Sequence, residues 1–390
     1  MFAKRVKLTN FRNYESADIE FSPGVNLIYG PNGQGKTNLV EALNFFAGLD
    51  SHRVAGHTPL IKQGESTAII SLELAHEGRD LLLEYEINAD STNRARLNKS
   101  PVAKPKEILG YLNSVIFAPE DLDIVKRDPT NRRTFLDQLI IQFNPRMHGV
   151  YSDYDRVLKQ RNTLLKSARA TGTKGNNLST LDAWDQSLVK NGTEIIAARV
   201  SITEKLTPGL VANYQSIAKS NNEPTMFIRS SVTTTSKVDQ DDLETQDALA
   251  TSNKEEIAAL FQEKLALVRP KELERGVTMV GPHRDDLQLN LGSLPAKGYA
   301  SHGESWSYAL ALKLASLEIL KQESRLGDPI LILDDVFAEL DKDRRQKLSD
   351  LVQQNEQVLI TAAVIEDVPQ NLLAKKFQVE SGKVSSACRQ

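Results

Sequence analysis

"YGPNGQGKTNLVEAL", residues 29–43, decides how the rest of the chain is read. Gly30, Gly35, Lys36 and Thr37 stand in the spacing G-x-x-x-x-G-K-T, after the apolar run "VNLIY" and before a helical pattern that reaches Gly48. Strand, glycine-rich loop and helix in that order identify a phosphate-binding loop. Glycine lets backbone N–H groups converge on an anion, and the helix start adds partial positive charge. The nucleotide-binding residues on this reading are Gly30, Pro31, Asn32, Gly33, Gln34, Gly35, Lys36, Thr37 and Asn38. Lys36 neutralises phosphate charge and Thr37 offers its hydroxyl to Mg2+, so ATP and Mg2+ are the implied ligands.

Such a loop needs a carboxylate for the metal, at the end of a buried apolar strand. "PILILDDVFAELD" (329–341) supplies one: four apolar residues, then Asp334 and Asp335. Asp334 is expected to complete the magnesium shell through water. Asp335 follows it, either as the base that activates water or as a buried neighbour only. The pair lies nearly three hundred residues beyond Lys36. One domain of about 100–200 residues does not span that separation. An α/β fold split by an insertion does. "SHGES" (301–305) precedes a long helical pattern. Ser301 and Gly303 there suit a phosphate at a helix N-terminus, and Ser301 equally suits an ordinary N-cap. Asp341 likewise reads as a cap for the helix after it.

The texture along the chain agrees with a split. "RVKLTNF", "VNLIY", "AIISLEL", "LLLEYEI" and "SVIFA" read as strands within the first 120 residues. From Pro129 to about Leu210 the pattern is helical, and two amphipathic segments flank the turn-rich 167–177, as in an antiparallel hairpin. The acidic stretch 233–246 reads as a loop. "VTMVG", "LQLNL", "PILILDD" and "QVLITAA" return to strand texture, with helices over 304–322 and 341–353.

Bulk properties narrow the class. A 390-residue chain with 40% apolar and 25% charged residues has an ordinary globular composition. Its net charge of −3 leaves any nucleic-acid affinity to a local basic patch. Candidates are Arg127, Arg132 and Arg133, then Arg156, Lys159, Arg161, Lys166, Arg169 and Lys174, which also read as a solvated helix face. Cys388 is the single cysteine, which excludes internal disulfides and a cysteine zinc site and suits a reducing cytoplasm. No apolar run approaches the ~18 residues of a membrane span, and the opening "MFAKRVKLTNF" lacks a signal-peptide core, so a soluble cytoplasmic protein with no membrane partner is expected. No catalytic Ser/His/Asp triad or histidine metal cluster emerges, and His283 reads as structural.

"LTNFRNY" (8–14), the phosphate loop, "SHR" (51–53), "FAPEDLDIVKRDPTNRRTFLD" (117–137), "GPHRDD" (281–286), "SHGES" and "LDDVFAELD" occur in one order. That combination resembles the RecF family of SMC-like ATPases over nearly the whole chain. The resemblance implies an α/β, ABC/SMC-like ATPase head with mixed sheets and helices and an inserted, mainly helical arm. Residues 1–117 and 271–390 would be the two parts of the head and 118–270 the arm. It further implies an ATP-dependent homodimer in which Ser301, Gly303 and Asp341 complete the partner's site. Weak, DNA-stimulated ATP hydrolysis would then serve as a switch. Duplex and gapped DNA, single-strand junctions, RecR and RecO are the implied partners, with RecA loading and the SOS response as context. An ATPase of another ABC/SMC-type complex is the alternative. Ser-His-Gly-Glu-Ser-Trp departs from the Gln- and Arg-containing form of the family. "LITAAV" lacks a γ-phosphate-sensing histidine, with Thr361 nearby. Gln63 is a candidate Q-loop glutamine, and Arg53 reads either as a nucleotide or DNA contact or as a surface residue.

Overall fold

The computed structural model describes residues 1–54, 56–171, 179–218, 222–233, 249, 252–324, 327–372 and 374–386. Lys174, Cys388, most of the 233–246 stretch and part of the 167–177 turn lie outside the described residues. The chain runs β1 (Phe2–Phe11), β2 (Tyr14–Glu20), β3 (Gly24–Tyr29), α1 (Lys36–Gly48), β4 (Thr67–His76), β5 (Arg79–Asn88), β6 (Arg94–Leu97), β7 (Ser100–Pro101) and β8 (Ser114–Phe117). Then come α2 (Leu122–Lys126), α3 (Pro129–Phe143), α4 (Met147–Thr171), α5 (Ser179–Ile217), β9 (Pro224–Arg229) and α6 (Lys254–Arg275). The last part holds β10 (Asp286–Leu291), β11 (Leu294–Pro295), α7 (His302–Glu323), β12 (Ile330–Asp334), α8 (Lys342–Val352), β13 (Gln357–Ala362), β14 (Ala374–Glu380) and β15 (Lys383–Ser386).

Two compact units result: Met1–Leu122 with Ala212–Asn221 and Trp306–Gln390, and Asp123–Val211 with Asn222–Ser305. The first unit carries two six-stranded sheets. One is antiparallel, in the order β2-β1-β4-β5-β6-β7, and β4 and β5 alternate buried with less buried residues. The other, β15-β14-β3-β13-β12-β8, is parallel apart from β15. Every residue of β8, β12 and β13 is buried, the mark of strands covered on both faces. β13 separates β12 from β3, so the aspartate strand reaches the phosphate loop across one intervening strand.

The second unit is mainly helical with a small sheet, β11-β10-β9. Along α4, Tyr154, Val157, Arg161, Leu165 and Ala168 recur every three or four residues and are buried. Leu165 and Ala168 meet Leu181 of α5, as the hairpin reading expected. The boundaries differ from the expected 117/118 and 270/271. β9 pairs with β10 from Asp286↔Arg229 to Leu291↔Pro224, which keeps residues beyond 270 with the helical unit as far as Ser305. "VTMVG" (277–281) is not a strand. Its N–H groups are taken by side chains instead: Thr278 by Asn162, Met279 by Glu272 and Gly281 by Ser231. A segment so satisfied needs no neighbouring strand.

Candidate nucleotide site

The phosphate loop leaves β3 and closes on α1 at Gly35, whose φ of 115° a side chain would strain. A Cβ at Gly35 would also collide with Asn13, and one at Gly30 with the Val379 carbonyl. These two glycines are therefore required by close approach. Lys36 is buried, and its ammonium donates to the Gly30 carbonyl at 2.9 Å, the Asn32 side-chain oxygen at 3.2 Å and the Pro31 carbonyl at 3.3 Å. Its charge is thus centred over the loop. Pro31, Asn32 and Gly33 face solvent around it.

Residues that sequence reasoning had used only as family markers hold this loop in shape. The Tyr14 hydroxyl donates to the Gly35 carbonyl at 2.9 Å, and the Asn13 amide to the Gln34 carbonyl at 2.9 Å. Asn38 donates to Asn13 at 2.8 Å and accepts from Arg53 at 2.9 Å. The Ser381 N–H donates to the Gln34 side chain at 2.6 Å. Behind the helix Arg12 grips the buried Glu41 with two hydrogen bonds, 2.6 and 2.9 Å, and Ser51 adds a third at 2.5 Å. Burial alone would raise the Glu41 pKa, but these donors from Arg12 and Ser51 hold it below the ordinary carboxylate range. Arg53 is therefore half-exposed and tied to α1, and Gln63 is exposed.

The aspartate strand meets the loop. Thr37 donates to Asp334 Oδ1 at 3.2 Å, and Thr361 of β13 donates to the same oxygen at 2.5 Å. Thr361 also accepts from the Asp335 N–H at 2.9 Å, which fixes Asp335 at φ 54°, ψ 21°. The intervening strand thus links both aspartates. A hydroxyl and a carboxylate oxygen at the loop's helix end form the hard oxygen donor set that suits Mg2+. Burial pushes the Asp334 pKa up to about 6, and the charge of Asp335 adds to it, against the hydrogen bonds from Thr361 and Thr37.

That shift gives a measurable prediction. A carboxyl raised above its unfolded value of 3.8 binds its proton more tightly when folded, so its stability cost appears as pH rises from about 4 through about 6. Without metal or nucleotide, Asp334→Asn should be more stable than the parent by about 1–3 kcal/mol at pH 8. Urea melts should show the gap closing as pH falls to about 4. A gap that does not change with pH would contradict the buried, ionised Asp334.

Ser301 caps α7 in the second unit. Its hydroxyl and N–H both donate to Glu304, at 2.8 and 2.9 Å, and the Glu304 N–H returns to the Ser301 hydroxyl at 3.3 Å. Gly303 follows within the first turn, and Asp341 caps α8 by accepting from the Arg344 N–H at 3.0 Å. Two of the expected DNA contacts are corrected. Arg161 is fully buried between Asp185 at 2.6 Å, Glu272 at 2.7 Å and Thr278 at 2.9 Å. Arg132 is buried in a two-pronged pair with Asp286, at 2.7 and 2.9 Å. Neither guanidinium can reach a phosphate. Arg133 donates to the Asp285 carbonyl at 2.8 Å and is half-buried. Arg127, Lys159 and Lys166 are exposed, the first in an ion pair with Asp123 at 2.8 Å. His283 is structural, between the Tyr154 hydroxyl at 2.7 Å and the Thr278 carbonyl. Among the described residues no helix is long and apolar enough to cross a membrane.

A phosphate loop joined through Thr37 to an aspartate nearly three hundred residues away, with a capped Ser-x-Gly turn elsewhere in the chain, defines an ATPase head of the ABC/SMC class. Residues 2–380 match the family described as RecF/RecN/SMC N terminal domain. The chain is 50% identical to the DNA replication and repair protein RecF of Clavibacter michiganensis subsp. michiganensis, covering 99% of this chain and 96% of that one. It is also 50% identical to RecF of Leifsonia xyli subsp. xyli, covering 98% and 99%. A solved structure of the recombination mediator protein RecF-ATP in the RecFOR pathway is 29% identical with a TM-score of 0.86, covering 99% of this chain and 98% of that one. An SMC head bound to the C-winged helix domain of ScpA, 15% identical at a TM-score of 0.53, shares the fold. The chain belongs to the RecF family of SMC-type ATPases.

Proposed function

We propose that this chain is an ATP-switched DNA-binding factor of recombinational repair that acts at the cytoplasmic chromosome. The observation that carries the reading is the contact between Thr37 and Asp334, which joins the two halves of a nucleotide site across the insertion. In this reading Gly30 to Asn38 wrap the phosphates of ATP and Lys36 neutralises them. Thr37 and Asp334 hold Mg2+, which when bound offsets charge on the β- and γ-phosphates. Asp335 orients the attacking water from the position Thr361 gives it. Being one methylene shorter than a glutamate, it suits slow hydrolysis, so the nucleotide times a state more than it drives motion. Ser301 and Gly303, with Asp341, complete the site of a second copy. A ligand drives association only through stronger binding to the associated state, and the γ-phosphate supplies that difference.

The DNA contacts proposed are the exposed Lys159 and Lys166, one face of α4 seven residues apart, with Arg127. They would meet phosphates and carry little sequence preference. Duplex with single-strand gaps is the substrate, and RecO and RecR are the partners with which RecA is loaded there. The 50% identity to RecF proteins supports these assignments, as does the RecFOR setting of the similar ATP complex. DNA should stimulate the weak ATPase.

The test is sedimentation of the full chain with gapped duplex, in ATPγS or ADP, at 50 and 200 mM salt. Dimers and DNA retention are expected with ATPγS alone. Six phosphate contacts per dimer, three from each chain, predict a fall in DNA affinity of about 1,000-fold between those salts. A chain that stays monomeric and unbound in ATPγS would refute the switch.

A further inference from the structure

The last strand pair of the chain reaches the phosphate loop from outside it. β14 runs parallel to β3 as far as Gln378↔Tyr29, so its next residues pass beside the loop that leaves Tyr29. There β14 turns into β15 through Ser381 and Gly382 alone, with Glu380 paired to Lys383. Both turn residues have positive φ, 49° and 72°, as the tightest hairpins favour. Serine seldom adopts that conformation, and such strain persists only where the surroundings hold it.

Gln34 meets the turn at both of its N–H groups. The Ser381 N–H donates to the Gln34 side-chain oxygen at 2.6 Å, and the Gly382 N–H to the Gln34 carbonyl at 3.3 Å. Asn13 donates to the same carbonyl at 2.9 Å. A Cβ on Gly382 would stand 3.0 Å from the Asn13 carbonyl oxygen, so glycine lets the turn sit this close. All of these residues belong to the first compact unit. A peptide is planar and trans, so fixing the Gln34 carbonyl also fixes the Gly35 N–H, which points the opposite way. The hairpin thus acts on a donor of the loop without touching a ligand itself.

We propose that the Ser381–Gly382 turn is a positioning element of the nucleotide site: by holding Gln34 at its side chain and its carbonyl, it aims the Gly35 N–H at the phosphates of a bound nucleoside triphosphate. This role rests on the phosphate-loop reading given above, which Lys36→Met tests by itself. Binding and docking are then reciprocal. Nucleotide should tighten the hairpin on the loop by the factor with which the docked hairpin tightens nucleotide.

The experiment titrates the dilute full chain with a fluorescent ATP analogue and follows hydrogen exchange over residues 378–383. Gln34→Ala removes the side-chain acceptor, and Gly382→Val forces the turn away from Asn13. Each should weaken ATP binding about fivefold or more, as loss of a neutral hydrogen bond does. The double variant should be within about twofold of the weaker single one, because both changes break one attachment. Gly292→Val strains an equally left-handed turn, φ 58°, with nothing packed against it, and should bind as the parent does. In the parent, saturating ATPγS should slow exchange of the Ser381 and Gly382 amides about fivefold, which a merely structural hairpin would not show. Parental affinity in both single variants, or exchange indifferent to nucleotide, overturns the proposal. A loss in Gly292→Val equal to that in Gly382→Val would assign the effect to general destabilisation and overturn it too. If Lys36→Met alone loses ATP, only the hairpin's role is struck; if Lys36→Met binds as the parent does, that role falls together with the phosphate-loop reading.

Discussion

Lys36→Met should leave the chain folded and monomeric at every concentration of ATP analogue. The substitution keeps an unbranched stem of similar length, so the buried packing of residue 36 survives. What disappears is the ammonium now donating to Gly30, Pro31 and Asn32, a charge centred over the loop. In a partly buried loop a charge-assisted contact to phosphate is worth about 3 kcal/mol, so ATP affinity should fall about 100-fold or more. Because the proposed dimer forms through the bound triphosphate, light scattering should detect no ATPγS-driven association. The unfolding midpoint should move by less than about 5 °C, which separates lost binding from lost fold. ATPγS-dependent dimers of this variant at parental concentrations would contradict the phosphate-loop assignment.

The phosphate loop was legible because its determinants are local. Gly30, Gly35, Lys36 and Thr37 fall within eight residues, flanked by an apolar run and an amphipathic one. Asp334 was legible for a similar reason, at the end of a short apolar strand. Thr361 was not, since its role depends on β13 inserting between β3 and β12, an order that no local pattern encodes. Asn13 and Tyr14 were seen only as family markers. Their work is to donate to the Gln34 and Gly35 carbonyls, twenty-one residues on, at distances that only the folded turn creates. Arg161 is the instructive misreading. It lies four residues from both Val157 and Leu165, on the buried stripe of α4, and periodicity alone could have withdrawn it from the basic face. Its partners Asp185 and Glu272 come from two other helices. A charge run in sequence does not distinguish a solvated cation from one neutralised at long range.

Ser301→Arg should uncouple nucleotide binding from association. Ser301 belongs to the second compact unit and Lys36 to the first, and the substitution leaves the phosphate loop and its supports intact. A fluorescent ATP analogue should therefore bind the variant monomer within about twofold of the parent, since no loop donor changes. Dimers should be absent, because the long guanidinium stem would fill the space that the proposed composite site gives to a partner's terminal phosphate. Losing the hydroxyl cap costs about 1 kcal/mol of helix stability, which by itself could loosen the turn. Two companions separate these effects. Ser301→Asp keeps a strong N-cap but places a carboxylate where phosphate must approach, and it should also fail to dimerise. Ser301→Thr keeps both cap and hydroxyl and should dimerise. If Arg and Asp variants associate in ATPγS as the parent does, Ser301 is a cap and nothing more. If Ser301→Thr fails with them, the turn tolerates no added bulk and the electrostatic account gives way to a steric one. Only the pattern of Thr associating while Arg and Asp do not requires the serine to meet a phosphate held by another copy.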